Sequence, residues 1–203
     1  MSSVGFREIH RLVGAVAAKQ LADQHPRLYG VTGDRLRANS LFVGLLMEEL
    51  AVLSGEDPRS CYTIGLLRSV GKMALEVLAR NGEPVLPFAE SGEQEVDAWE
   101  KRSWGGTNGE VAEMILEHWC LPHETVMAVR HHYHPENCLN PLIHLLNLAA
   151  GAAEHRGFGL PGEETFWKFS AASFTQARVD RSRFQAVTDK AHRTFERLVE
   201  ALG

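Results

Sequence analysis

Histidine is concentrated in one part of the sequence and is the first candidate for chemistry. Imidazole nitrogens bind transition metals and transfer protons near neutral pH. The histidines in question are His118, His123, His131, His132 and His134. His131 and His132 are neighbours, and neighbouring side chains on a helix point about 100° apart because a helix has ~3.6 residues per turn. One cation would therefore not reach both, so the pattern leaves a metal site open but favours a structural role at the end of a helix.

Two basic residues four positions apart, Arg68 and Lys72, are the second candidate. That spacing puts both side chains on one face of a helix. Together they could bind a phosphate or another small anion, although solvation or pairing with nearby glutamates is the commoner arrangement. The adjacent carboxylates Glu48 and Glu49 could act as acid and base, but we expect them on an exposed polar face of a helix.

The composition argues against several classes of protein. The chain has 203 residues, of which 44% are hydrophobic and 23% are charged, as is ordinary for a globular protein in water. Its formal net charge is -5 and it has no basic run, so we expect neither nucleic acid nor an anionic membrane as a partner. The most apolar segment, 141–153, contains polar residues and is too short to cross a bilayer.

The cysteines Cys61, Cys120 and Cys138 are widely separated and form no Cys-x-x-Cys motif. An unpaired number of dispersed cysteines indicates reduced thiols in a cytoplasmic protein, rather than a disulfide framework or a zinc site. Cys120 has no charged activator nearby in the sequence. We therefore expect it to be a small buried apolar residue and not a nucleophile.

The histidines lie in a stretch, 103–135, that reads as turn, helix, sharp turn and helix. Gly105 and Gly106 interrupt the helical pattern, because two glycines cost too much backbone entropy inside a helix. Thr107 is a good N-cap, and Glu110 three residues later completes a capping box. Pro122 ends the first helix and suits the first turn of the second.

Helical patterns also cover most of the remaining chain. Apolar residues recur at helical spacing in five further segments, which are 6–22, 34–53, 57–78, 140–149 and 180–199, and residues 93–101 read as a short polar helix that carries Trp99. In the third of these we expect a break or bend at Gly71. No strand pattern and no long polar linker is evident, so the sequence predicts an all-α fold and a single domain over 1–203.

Three short motifs occur in a fixed order: an aromatic-Gly-Thr stretch at 104–107, Trp-x-Leu-Pro at 119–122, and His131-His132 before Pro135. In this order and spacing they resemble the HDOD domain, a relative of the HD-type metal phosphohydrolases and of the HD-GYP cyclic di-GMP phosphodiesterases. The resemblance implies a helical HD-like bundle. It is strongest over 4–150, with the C-terminal helices over 163–203 appended, and the helical segment upstream of the family's middle is expected to be missing.

The resemblance also implies where the metal ligands of the wider superfamily would fall. The early histidine corresponds to Asn39, the His-Asp pair to Arg68 and Ser69, the later histidine to Gly109, and the final aspartate to Asn147. None of these side chains is the ligand that the superfamily uses, so a degenerate metal site with no cofactor is expected. The residues that remain for a ligand or anion there are Arg68, Lys72, His131 and His132.

What the resemblance implies for function is a non-enzymatic bacterial signalling module in the cytoplasm that works by binding signalling proteins. Two alternatives stay open: a metal-dependent phosphohydrolase or cyclic-dinucleotide phosphodiesterase, and a non-catalytic sensor of a small anionic ligand. The first helix is expected to expose Leu12, Val13 and Val16 where the family's upstream segment would cover them. A large uncovered apolar patch marks an interface, so a homodimer or a partner through this helix is expected.

Overall fold

A computed structural model describes residues 27–81 and 84–202 of the chain. The predicted first helix over 6–22, with Leu12, Val13 and Val16, lies outside these residues. The α-helices of the described part are α1 (Gly33–Ser54), α2 (Pro58–Leu67), α3 (Val70–Asn81), α4 (Val96–Trp104), α5 (Asn108–His118), α6 (His123–His131), α7 (Pro141–His155), α8 (Ala171–Gln176) and α9 (Arg181–Leu202). Short 3-10 turns lie at Arg27–Tyr29, Phe88–Glu90, Pro135–Asn137 and Glu164–Phe166. No strand occurs in the described residues, and the all-α prediction is confirmed.

Helix α1 is the central helix of the bundle. It begins where the Thr32 side chain accepts a hydrogen bond from the Arg35 amide, and it ends at Gly55, whose φ of 80° is left-handed. Helices α2, α7 and α9 pack against it. The expectation that Glu48 and Glu49 lie on an exposed face is wrong, because α1 is covered on several sides and both residues are buried. Glu49 forms a salt bridge with Lys190 of α9, with a distance of 2.6 Å between Oε2 and Nζ.

The break after α2 lies at Arg68 and Ser69, and not at Gly71 as the sequence suggested. Gly71 sits in the first turn of α3, where its missing side chain allows contact with the next layer. A Cβ on Gly71 would lie 1.9 Å from the Asn108 carbonyl oxygen at the start of α5. The glycine is therefore needed for close helix packing, and the change of direction two residues earlier turns Arg68 into the interior.

Helices α5 and α6 form where their capping signals predict them. The hydroxyl of Thr107 accepts from the Glu110 amide while the Glu110 carboxylate accepts from the Thr107 amide, which completes the capping box. The turn between the helices contains Cys120, which has a φ of 57° and is exposed. Cys120 was expected to be buried; that expectation is wrong, because the residue lies in the exposed tight turn ahead of Pro122.

Between α7 and α8 the chain crosses the bundle as a segment of residues 157–168, here called the strap, which has only one 3-10 turn. Its inner side chains Leu160, Glu163 and Phe166 are buried, whereas Glu164 and Thr165 face outward. Leu160 and Phe166 join a small apolar cluster around Trp99 and Tyr133. Among the described helices, none is both long enough and apolar enough to span a membrane.

Candidate functional site

Arg68 and Lys72 meet a carboxylate in the interior. The Arg68 guanidinium donates to Oε2 of Glu163 in the strap, and Nζ of Lys72 lies 2.8 Å from Oε1 of the same carboxylate. The side chains of Arg68 and Glu163 are 0% exposed and that of Lys72 is 3% exposed. Tyr133 donates its hydroxyl proton to Oε1 at 2.6 Å. We call Arg68, Lys72, Glu163 and Tyr133 the ion cluster.

A second buried carboxylate lies on the far side of Lys72. Glu100 of α4 accepts hydrogen bonds from the Tyr29 hydroxyl at 2.8 Å and from the Asn108 backbone amide at 2.6 Å. Nζ of Lys72 lies 5.0 Å from the centroid of the Tyr29 ring, within the range of a cation–π contact. The ion cluster therefore continues through Tyr29 to Glu100 and ties the start of α5 to α3.

Of the positions at which superfamily metal ligands were expected, Arg68 belongs to the ion cluster and Asn39 and Ser69 contact it. Nη1 of Arg68 donates to Oδ1 of Asn39 at 2.7 Å, and the Ser69 hydroxyl is 3.5 Å from the same Nη1. Asn147 of α7 binds the C-terminal end of the strap, where it donates to the backbone carbonyls of His132 and Phe166 at 2.8 and 2.9 Å.

Gly109 is not part of this arrangement. A Cβ on Gly109 would lie 2.8 Å from the Arg130 carbonyl oxygen, so the residue allows α5 and α6 to approach each other.

The two neighbouring histidines have different surroundings. His132 is buried, and its Nδ1 lies 2.8 Å from the Val129 carbonyl oxygen. A carbonyl only accepts, so Nδ1 carries the hydrogen and Nε2 has the lone pair. Burial, aided by the positive charge of Arg68, lowers the pKa of His132 to about 3, so this imidazole is neutral at pH 7. His131 is partly exposed and lies outside the ion cluster; burial and the charge of Arg130 lower its pKa.

Ionisation of the cluster follows from its contacts. Burial alone would raise the pKa of the Glu163 carboxyl, but the charges of Arg68 and Lys72 outweigh burial and lower that pKa to about 2. Burial and the Glu163 charge raise the pKa of Tyr133, which keeps its proton for donation. Burial raises the pKa of Glu100, a shift that the charge of Lys72 and the hydrogen bonds from Asn108 and Tyr29 partly offset.

These residues do not fit a metal ion. Guanidinium and ammonium groups are hydrogen-bond donors without a lone pair for a cation, and both oxygens of Glu163 already accept from them. Nε2 of His132 has no hydrogen-bond partner among the described residues, but the Arg68 charge beside it disfavours a second cation. No group of three or more His, Cys, Asp or Glu side chains within 27–81 and 84–202 is arranged to hold a metal.

Sequence reasoning found Arg68, Lys72 and His132 but missed Glu163 and Tyr133. Pairing of the two cations with glutamate was one of the expected arrangements, yet the partner is 95 residues from Arg68 in the chain. The available signal is the Gly-Glu-Glu sequence in a glycine-rich loop, which does not tell Glu163 from its exposed neighbour Glu164. Tyr133 lies between two candidate histidines and was overlooked because its chemistry is only that of a hydrogen-bond donor.

Comparison with known proteins gives one family and three similar folds. The sequence model of the HDOD domain family matches residues 1–135. A candidate signal transduction protein from Marinobacter aquaeolei VT8 is similar with a TM-score of 0.66 and 22% identity, over 81% of this chain and 37% of that chain. A candidate phosphohydrolase from Shewanella amazonensis SB2B has a TM-score of 0.62 and 22% identity, over 82% and 62% of the two chains. The response regulator MmoQ from Methylococcus capsulatus str. Bath has a TM-score of 0.55 and 17% identity, over 80% and 63%.

At these identities the likeness to solved structures shows a shared fold. The chain spans less than two thirds of the length of each of the three proteins. No match was found among curated proteins.

Proposed function

Because this chain belongs to the HDOD domain family, we propose that it is a bacterial signalling domain that binds other proteins and does not catalyse hydrolysis. Family membership, together with neighbours described as a signal transduction protein and a response regulator, supports the signalling role. The finer parts of the proposal, which are action by protein binding and absence of catalysis, rest on the chemistry of the ion cluster.

The observation that carries this proposal is the buried pairing of Arg68 and Lys72 with Glu163. Hydrolysis of a phosphate ester by an HD-type site depends on metal ions that polarise phosphorus–oxygen bonds and activate water. At Asn39, Arg68, Ser69 and Asn147 this chain has amides, a hydroxyl and a cation instead of imidazoles and carboxylates. Their hydrogen bonds are used to hold protein groups together.

The alternatives are less well supported by the same contacts. A phosphohydrolase, as the Shewanella neighbour is described, needs ligands that these side chains do not supply. A sensor of a small anion needs access to Arg68 and Lys72, but both cations are already paired with Glu163 and their side chains are closed to solvent.

Elemental analysis and a hydrolysis assay test the proposal. Protein purified without an affinity tag should contain far less than one iron, manganese or zinc per chain after dialysis. Incubation with manganese or magnesium and either cyclic di-GMP or a simple phosphate ester should give background rates. A stoichiometric metal, or turnover that His132→Ala abolishes and His131→Ala retains, would overturn the proposal in favour of the phosphohydrolase.

Partner choice and location belong to the same proposal. We expect a cytoplasmic protein that uses Leu12, Val13 and Val16 to bind a second copy or a signalling protein. Light scattering of wild type and of Leu12→Ser/Val16→Ser would measure this directly. A strict monomer at high concentration, with unchanged binding of a hydrophobic dye in the double variant, would contradict it.

A further inference from the structure

The strap is attached to the bundle by side chains that bind its main chain. Asn39 donates to the Phe158 carbonyl at 2.8 Å, and Nε of Arg35 donates to the Gly159 carbonyl at 2.7 Å. Asn147 donates to the Phe166 carbonyl and accepts from the Lys168 amide at 2.9 Å. Two of the positions that would hold a metal ion in the superfamily, Asn39 and Asn147, thus bind an extended peptide segment.

The same surface also recognises side chains of the strap. Arg68 and Lys72 bind the Glu163 carboxylate, and the small apolar cluster takes Leu160 and Phe166. Donors for backbone carbonyls, a pair of cations for one carboxylate and apolar positions on either side are what a protein needs to bind an acidic peptide. A free phosphate would use only the cations.

The contacts that hold the strap are ones that another peptide segment could make in its place. The segment has only one 3-10 turn of regular structure, and Gly157 and Gly162 have φ values of 81° and 76°, a left-handed backbone that glycine adopts without strain. One backbone hydrogen bond, from the Val96 amide to the Gly162 carbonyl at 3.0 Å, also attaches the strap. When the strap opens, the charges of Arg68, Lys72 and Glu163 regain hydration, which offsets part of the stabilisation that their pairing gives. Another carboxylate that contacts the two cations can replace that of Glu163 at small net cost, because one ion pair is exchanged for another.

We propose that the strap is a displaceable internal ligand, and that its opening exposes a groove for an acidic segment of a partner protein. The groove is formed by Asn39, Arg68, Lys72 and Asn147, and the partner's carboxylate takes the place of Glu163. This proposal rests on the protein-binding function proposed above and adds its regulation: the closed strap is the resting state, and a partner that competes with it is recognised.

Hydrogen exchange on the wild-type full chain tests strap opening. The amides of Phe166 and Lys168, bonded within the strap and to Asn147, should exchange together and at least tenfold faster than the buried amides of α1. Urea at concentrations well below the unfolding midpoint should leave the strap rate nearly unchanged. Exchange of these amides only together with α1 would overturn the proposal, and this measurement needs no variant to fold.

A peptide of residues 158–168 added in trans tests the groove. It should bind the full-length Glu163→Gln variant at least tenfold more tightly than wild type, while Glu164→Gln, an exposed neighbour, should behave as wild type does. The same peptide carrying Glu163→Gln should bind at least tenfold more weakly. Equal binding to all three proteins, no binding to any of them, or stronger binding of inorganic pyrophosphate than of the peptide would each refute an acidic-peptide groove.

The two proposals fail in different experiments. Neither strap measurement uses a metal or a phosphate ester, so a failed strap test leaves the non-catalytic function standing. A stoichiometric metal would remove the non-catalytic function whatever the strap does.

Discussion

Replacement of Glu163 by glutamine is the sharpest test of the ion cluster. The amide keeps the shape and one oxygen for Tyr133 and Lys72, but it removes the negative charge that balances Arg68 and Lys72. Arg68 would then be buried without its carboxylate, and Lys72 would keep only the more distant Glu100. Loss of one partner from a buried ion pair costs roughly 3–5 kcal/mol, because the remaining charge stays desolvated.

The pKa of Glu163 gives an independent magnitude. Its environment lowers this pKa from an ordinary 4.5 to about 2. Each tenfold change in an ionisation constant corresponds to about 1.4 kcal/mol, so the ionised carboxylate contributes about 3 kcal/mol to folding at neutral pH. The two routes agree, and we expect Glu163→Gln to lower the free energy of unfolding by about 3 kcal/mol.

The pH dependence identifies the carboxylate as the cause. Because its folded-state pKa is depressed, the Glu163 contribution is complete above pH 4.5 and is lost as the pH falls toward about 2. The difference in stability between wild type and Glu163→Gln should therefore be constant above pH 4.5 and shrink below it. Acid makes the two proteins alike.

Urea unfolding at a series of pH values measures these effects, with Glu164→Gln as the matched control. Glu164 is adjacent and exposed, so its replacement should change stability by less than about 0.5 kcal/mol. If Glu163→Gln were as stable as Glu164→Gln at pH 7, with the same denaturant slope, the ion cluster would not contribute as its geometry indicates.

Two further substitutions have specific expectations. His132→Ala should cost about 1–3 kcal/mol by loss of the hydrogen bond to Val129, equally with and without a chelator. Because the pKa of His132 is lowered from 6.5 to about 3, wild type should also lose stability as the pH falls from 6.5, and His132→Ala should lose less. His131→Ala is the control. A chelator that destabilises wild type alone would contradict this prediction. Gly71→Ala should lower the free energy of unfolding by about 1–3 kcal/mol, because its Cβ would meet the Asn108 carbonyl. Gly106→Ala is the control, since its Cβ would meet only the end of the Glu110 side chain. Equal urea midpoints for the two variants would refute the close contact at Gly71.

Where the sequence misjudged individual residues, packing between distant elements was the cause. Glycine often breaks a helix, but the close approach of Gly71 to Asn108 decides its role here. Glu48 and Glu49 resemble a solvated pair, yet α9 covers this side of α1 and supplies Lys190 to Glu49. Cys120 follows an apolar helix, and the turn geometry exposes it. Neighbours far away in the chain leave no local pattern, so no reading of nearby residues finds them.

The sequence by itself determined the all-α class, the capping box at Thr107 and the family. These features depend on side chains three or four positions apart and on short motifs, all of which are local. Only the tertiary structure decided the ion cluster. Glu163 reaches Arg68 across 95 residues of chain, and Asn39 reaches it across 29. The turn after α2, the approach of α3 to α5 and the path of the strap together set that meeting, because a buried cation is stable only where packing brings it a carboxylate.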